Sequence, residues 1–259
     1  KKMRRSVDHV LCSLPFEKEW YRQRDVAAHY VGHPYFDELP AQQLDPTFEQ
    51  EQHARGGTII GLLPGSRNQE LTANLPTLLR AAQRIHAERP ETRFLVACFK
   101  PAHRERVESA LRAEPMPFIE AHVSKTPEII SVAHSCIAVS GSVSLELLYR
   151  AKPSIIVYRA QPFLLFLSRY MKKCRYMSLV NLLADDELYP EFLSARCEAK
   201  GVSRRMLEWL DNPASVELLR SRLEKLRTET ARPGACERSA RFVLDHVRNL
   251  ITAKKSNAA

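Results

Sequence analysis

No apolar run in the chain reaches the ~20 residues that a bilayer-crossing helix needs, so no transmembrane helix is expected. No secretory-type leader is read at its start. The opening KKMRRSVDHVLCSL reads instead as the end of a helix feeding a strand at Val7–Leu11, and a preceding N-terminal part is expected. Cysteine is scarce: Cys12, Cys98, Cys136, Cys174, Cys197 and Cys236 make no CxxC pair and no zinc-like cluster with the nine histidines. That pattern excludes a disulfide scaffold and a zinc site, and predicts reduced core thiols in a cytosolic protein. The GxxxxGK[ST] and GxGxxG patterns are also missing, so P-loop kinase and ordinary dehydrogenase chemistry lose ground. No zinc finger, RNP-like aromatic motif or helix-turn-helix pattern is found, which leaves nucleic-acid binding supported by charge alone.

What is present is a globular composition. Of 259 residues, 44% are apolar and 27% charged, enough for a substantial core in one large domain or two modest ones. The net charge of +9 points to an anionic partner: nucleic acid, a phosphorylated ligand or an acidic membrane surface.

Along the chain, Phe16–Gln23 reads as helix and AHYVGHP (Ala28–Pro34) as a short strand and turn. Glu38–Gly57 is polar, holds two prolines and ends in a glycine pair; it is the candidate linker. Strand-like runs then follow at Thr58–Leu63, Arg93–Phe99, Cys136–Ser140 and Ser154–Tyr158, with a weaker one at Pro117–Ala121. Helical patterns at Leu75–Ala87, Ala102–Ala113, Pro127–Ala133 and Ser144–Arg150 alternate with them. Short, continuously apolar strands alternating with helices predict an α/β fold, a parallel sheet flanked by helices on both faces. From Pro162 the chain reads as mostly helical (Phe163–Cys174, Arg204–Leu210, Ser215–Thr228, Ala235–Thr252), and the AKKSNAA tail as disordered.

Ligands of open α/β sheets bind beyond the carboxyl ends of the strands. Two turns suit that. In GLLPGSRNQEL (Gly61–Leu71), Gly65 allows close backbone approach, Ser66 offers a hydroxyl, and Arg67 offers a planar cationic fork matched to phosphate oxygens. In VSGSVSLELL (Val139–Leu148), a strand ends at Ser140, and Gly141 and Ser142 precede a helix whose free N–H groups favour an anion such as a diphosphate. Glu146, one helical turn in, is placed to accept hydrogen bonds from ribose hydroxyls. An ordinary strand–helix turn with a solvated arginine, and a helix merely capped by Ser142 or Ser144 with Glu146 in solvent, account for the same residues. Tyr158–Leu183 combines apolar Phe163, Leu164, Phe166, Leu167, Tyr170 and Met171 with Arg169, Lys172, Lys173 and Arg175, which fits a basic amphipathic helix at a lipid surface or a core helix with a cationic rim. Asn181 is expected in a loop, reaching a base or sugar. His33, held between Gly32 and Pro34, projects into a cleft or serves the turn itself.

The succession LPFEKEWY, VGHPYFDELP, LLPGSRNQEL, AVSGSVSLELLYRAKPSIIVYR and YMSLVNLLADDELYPEFL resembles lipid-A-disaccharide synthase over about residues 1 to 230. The resemblance implies a glycosyltransferase of the B fold, with two Rossmann-like domains facing across a cleft. The implied reaction is an inverting transfer of diacylglucosamine from UDP-diacylglucosamine to diacylglucosamine phosphate (lipid X), releasing UDP, in lipid A biosynthesis. It implies no metal or other cofactor, a cytoplasmic enzyme peripheral to the bacterial inner membrane, no nucleic-acid partner, and room for a homodimer. Carried over residue by residue, Arg67 lies near the donor diphosphate, Gly141, Ser142 and Glu146 match the donor-site turn and helix, Asn181 matches the SLxN asparagine, and Glu17 and His33 lie near the cleft. Phe163, Phe166, Leu167, Arg169, Lys172 and Lys173 are the expected lipid contacts. The implied domains are 1–48, the end of an incomplete acceptor-side domain with linker; 49–235, the UDP-sugar-binding domain; and 236–259, a C-terminal helix and tail. Val180 stands where the family often has proline, and Asp185 where it often has glycine. The family's glycine-rich acidic motif and its aspartate base are not found, so donor binding without turnover is expected of this chain. A UDP-sugar epimerase of the same fold and a basic nucleic-acid-binding protein are the alternatives.

Overall fold

The computed structural model describes residues 3–159 and 175–256. The chain divides into two compact units, a smaller one of Lys1–Gln42 with Leu226–Ala259 and a larger one of Gln43–Lys225. The smaller unit opens with α1 (Met3–Ser6), β1 (Val10–Cys12), α2 (Pro15–Arg22), β2 (Ala28–Tyr30) and α3 (Tyr35–Glu38). β1 and β2 run parallel, with Val10 opposite Ala28, and α2 makes the crossover that parallel strands require. Pro15 starts α2, where its missing N–H costs nothing, and the Glu17 carboxylate folds back to accept the Leu14 N–H at 2.9 Å.

The larger unit contains α4 (Pro46–Ala54), β3 (Thr58–Leu63), α5 (Asn68–Glu88), β4 (Thr92–Cys98), α6 (Pro101–Ala113), β5 (Ile119–Val123), α7 (Thr126–Val132), β6 (Ser135–Val139), α8 (Val143–Tyr149), β7 (Ser154–Arg159), α9 (Leu179–Ala184), β8 (Glu191–Ser194), α10 (Ala199–Asp211) and α11 (Pro213–Thr230). The last described element is α12 (Ala235–Ser256), which belongs to the smaller unit. Six strands form one parallel sheet in the order β5-β4-β3-β6-β7-β8. Both faces are covered, as the unbroken apolar runs predict. Ile59, Ile60, Leu62 and Leu63 of β3 are all buried, as are Phe94 to Cys98 on β4. On one face Ile60, Leu62, Phe94, Val96, Ile137, Ile155 and Val157 pack with Leu71, Leu75, Leu78 and Ile85 of α5 and with Val202, Met206 and Trp209 of α10. Each such side chain contributes roughly 1.5–3 kcal/mol of burial.

Three expectations are corrected. The candidate linker contains α4, because Asp45 caps the helix by accepting the Thr47 N–H (3.0 Å) and Phe48 N–H (3.3 Å), and Pro46 occupies the first helical position. A sixth strand, β8, follows in the stretch expected to be mostly helical; it pairs through Ile156–Glu191 to Arg159–Ser194. The tail does not begin at Ala253: α12 continues to Ser256. That helix packs with the N-terminal residues instead of standing as a separate piece. The Asp37 carboxylate accepts the N–H groups of Gly234, Ala235 (3.1 Å) and Cys236 (2.8 Å), and Arg238 Nε donates to the Val31 carbonyl at 2.8 Å. Among the described residues no helix is long and apolar enough to cross a membrane.

Candidate functional site

In a sheet of this order the chain leaves β3 first in one direction, to β4 and β5, and then in the other, to β6, β7 and β8. β3 and β6 therefore flank the topological switch point, where open α/β sheets bind ligands. They are parallel neighbours, with Leu63 opposite Ala138. The turns that leave them, Gly65–Arg67 and Ser140–Ser142, accordingly lie on the same rim.

The first turn is built around Glu70. Its carboxylate reaches back to accept the Arg67 N–H at 3.2 Å and to pair with the Arg67 guanidinium at 2.9 Å. Gly65 makes room for this. Its φ is +99°, and a Cβ there would stand 2.6 Å from Glu70 Oε2 and 2.8 Å from Glu70 Cβ. Arg67 caps α5 from an extended backbone, φ −95° and ψ 143°, and its side chain is 81% exposed. Ser66 is exposed beside it. The next residue, Asn68, ties α5 to α6 through a 2.9 Å hydrogen bond between its Oδ1 and His103 Nε2. Glu70 went unread in the sequence, although an acid three residues past a helix cap is the signal of a capping box.

In the second turn, Gly141 and Ser142 are exposed and Ser140 is half-buried. Ser142 makes no capping bond with its side chain; Ser144 instead donates to the Gly141 carbonyl at 2.8 Å. A Cβ on Gly141 would meet nothing within 4 Å. Among the described residues no packing neighbour therefore requires glycine at this position. Glu146 is not a solvated helix residue. It is 2% exposed and pairs with Arg150 Nε at 3.3 Å.

Asn181 is not where the sequence led. It lies within α9, fully buried, and every polar position of its side chain is used. Nδ2 donates to the Tyr189 carbonyl (2.7 Å) and Glu191 Oε1 (2.9 Å), and Oδ1 accepts from the N–H groups of Leu188 (3.0 Å) and Tyr189 (2.8 Å). With both donors and both acceptor lone pairs engaged, it cannot also bind a base or sugar. Asp185 closes α9 in the left-handed region, φ +49°, a conformation that glycine adopts without strain.

His33 and Glu17 belong to the smaller unit. Gly32, φ +93°, sets the turn, and His33 Nδ1 accepts the Tyr35 N–H at 3.2 Å. Burial lowers the His33 pKa, opposed by the charges of Glu17 and Glu38. Of the thiols, Cys12, Cys98 and Cys136 are buried in strands; burial pushes Cys98 up to about 11 and Cys136 up to about 12, so neither is a nucleophile near neutrality. The expected lipid contacts Phe163, Phe166, Leu167, Arg169, Lys172 and Lys173 lie outside the described residues.

The parallel sheet and its switch-point turns define a Rossmann-like α/β domain of the glycosyltransferase-B type. Solved structures of that fold superpose on it. One is the pneumococcal O-GlcNAc transferase GtfA in complex with UDP and GlcNAc (TM-score 0.55, 12% identity, 93% of this chain and 46% of that one). Another is the S. aureus MnaA–UDP co-structure (TM-score 0.58, 12% identity, 92% and 57%). At such identities the likeness speaks for the fold alone. The sequence model of the Lipid-A-disaccharide synthetase family matches residues 1–245, and the chain belongs to that family. Similar relatives are the lipid-A-disaccharide synthases of Myxococcus xanthus (30% identical over 245 residues, 94% of this chain and 63% of the relative) and Gloeothece citriformis (32% over 247 residues, 93% and 63%). The chain thus spans 63% of the length of each of these relatives.

Proposed function

We propose that the larger unit binds the UDP-diacylglucosamine donor of a lipid-A-disaccharide synthase, and that Lys1–Gln42 is the end of the acceptor-side domain. The transfer is inverting: a hydroxyl of lipid X attacks the anomeric carbon as UDP leaves. The observation that carries this proposal is the pair of polar turns on either side of the switch point, one with an exposed arginine. Negative charge grows on the diphosphate as the glycosidic bond breaks. Donors already aimed at it lower the barrier without reorganising. Arg67 and the backbone N–H groups around Gly141 and Ser142 take that part, with Gly65 and Ser66 lining the approach. Glu146, fixed by Arg150, is assigned to the ribose side through α8.

The base that deprotonates the acceptor hydroxyl is assigned to the part of the family's length that this chain does not span. Glu17 and His33 are proposed to face the acceptor, and residues 163–173 to meet the acyl chains at the inner-membrane surface. Family membership argues against the epimerase and nucleic-acid alternatives. Calorimetric titration of the 259-residue chain with UDP tests the proposal. Saturable binding that is weakened by Arg67→Ala and by Glu146→Gln is expected. No UDP affinity in the parent chain would refute a donor site.

A further inference from the structure

β7 lies beside β6, with Val139 opposite Val157. Carrying that register past the last printed pair sets Tyr158 level with Ser140, and Arg159 level with Gly141. Neighbouring strands lie about 4.8 Å apart. Arg159 is exposed at the carboxyl end of β7, on the same rim as the two turns. It is also held. Its backbone N–H donates to Asn74 Oδ1 at 3.0 Å, and its guanidinium Nη1 donates to the Ala73 carbonyl at 3.3 Å. Asn74 is 3% exposed and donates through Nδ2 to the Glu70 carbonyl at 2.8 Å. Glu70 is the residue whose carboxylate holds Arg67.

The first two turns of α5 therefore anchor two arginines on one rim. Arg67 follows β3 and Arg159 ends β7, and the Gly141 turn follows β6, the strand between them. A diphosphate offers acceptor oxygens on two phosphorus centres, and a guanidinium fork suits one phosphate group at a time.

We propose that Arg159 is a second diphosphate-binding arginine of the nucleotide-sugar site, and that Asn74 is the positioning residue that fixes its place relative to Arg67. This assignment rests on the donor-site proposal above. The test is calorimetric titration of the full 259-residue chain with UDP and with uridine, each variant first checked for an unchanged melting profile. Arg159→Ala weakens UDP binding about 10- to 100-fold and leaves uridine binding unchanged, as expected for a lost charge-assisted hydrogen bond. Arg159→Lys retains part of the affinity. Asn74→Ala weakens UDP binding in the parent chain but adds nothing in the Arg159→Ala background, a non-additivity that general loosening of the fold would not produce. Parent-like UDP affinity in Arg159→Ala, alongside a loss in Arg67→Ala, overturns the second arginine and leaves the donor site standing. A parent chain that binds no UDP overturns both.

Discussion

Gly65→Ala tests the construction of the arginine turn most directly. Two costs are expected. The backbone at φ +99° is a conformation that residues with a Cβ rarely adopt, and occupying it costs about 1–2 kcal/mol. The new methyl group would also stand 2.8 Å from Glu70 Cβ and 2.6 Å from Oε2, both well inside van der Waals contact. A flexible carboxylate can swing away, but a Cβ is fixed to the helix backbone, so the first turn of α5 must shift or Glu70 must release the Arg67 N–H. Loss of such a cap costs about 0.5–2 kcal/mol. The variant is therefore expected to lose roughly 1.5–4 kcal/mol, the sum of the two effects. Urea unfolding of Gly65→Ala, Glu70→Ala and the double variant measures it. Because the cap can be lost only once and the collision with the carboxylate vanishes with Glu70, the double variant should lose less than the sum of the singles. Strict additivity, or a Gly65→Ala variant within 0.5 kcal/mol of the parent, roughly the ordinary scatter of surface substitutions, would refute this account of the turn.

Asn181→Ala is expected to destabilise the chain by about 2–4 kcal/mol, since it strands the buried N–H groups of Leu188 and Tyr189 together; denaturant titration reads the loss, and UDP affinity at a temperature where the variant is folded should stay near that of the parent. Asp185→Gly should stabilise by up to about 1 kcal/mol by relieving the left-handed strain at the end of α9, seen as a raised melting temperature. The Asp37 carboxyl, although burial pushes it up, is held below its ordinary 3.8 by the N–H groups of Cys236, Ala235 and Gly234. Its stabilisation of α12 is therefore complete above pH 3.8 and fades as pH falls through the depressed folded value. Hydrogen exchange of α12 amides should accelerate across that acid window in the parent, and Asp37→Asn should already exchange faster at neutral pH and show a flatter profile.

The sheet was legible because its central strands are continuous apolar runs, which only burial on both faces explains. The rim was legible too: in a parallel sheet, a turn leaving the carboxyl end of a strand has one side on which to lie. β8 was not, since its four residues are only partly buried and carry Glu191. α4 was hidden by prolines and glycines that also suit a linker, although Asp45-Pro46 is a helix start. The misplacement of Asn181 has a different cause. A polar residue that satisfies four buried partners and one that waits for a ligand look identical in a sequence, and only the position of Leu188, Tyr189 and Glu191 around it tells them apart. Arg159 was overlooked for the converse reason: nothing local distinguishes it, and its place depends on a strand register and on an asparagine far away in the chain.

The contact of Asp37 with the start of α12 joins positions 197 to 199 residues apart in sequence. During synthesis residues 1–42 emerge long before this partner does. With roughly 180 residues intervening, at about 5–20 residues per second, they wait on the order of 10–40 seconds. The larger unit has all of its own strands available in that interval, so it can reach its native form on the ribosome while the smaller unit is still an unfinished half.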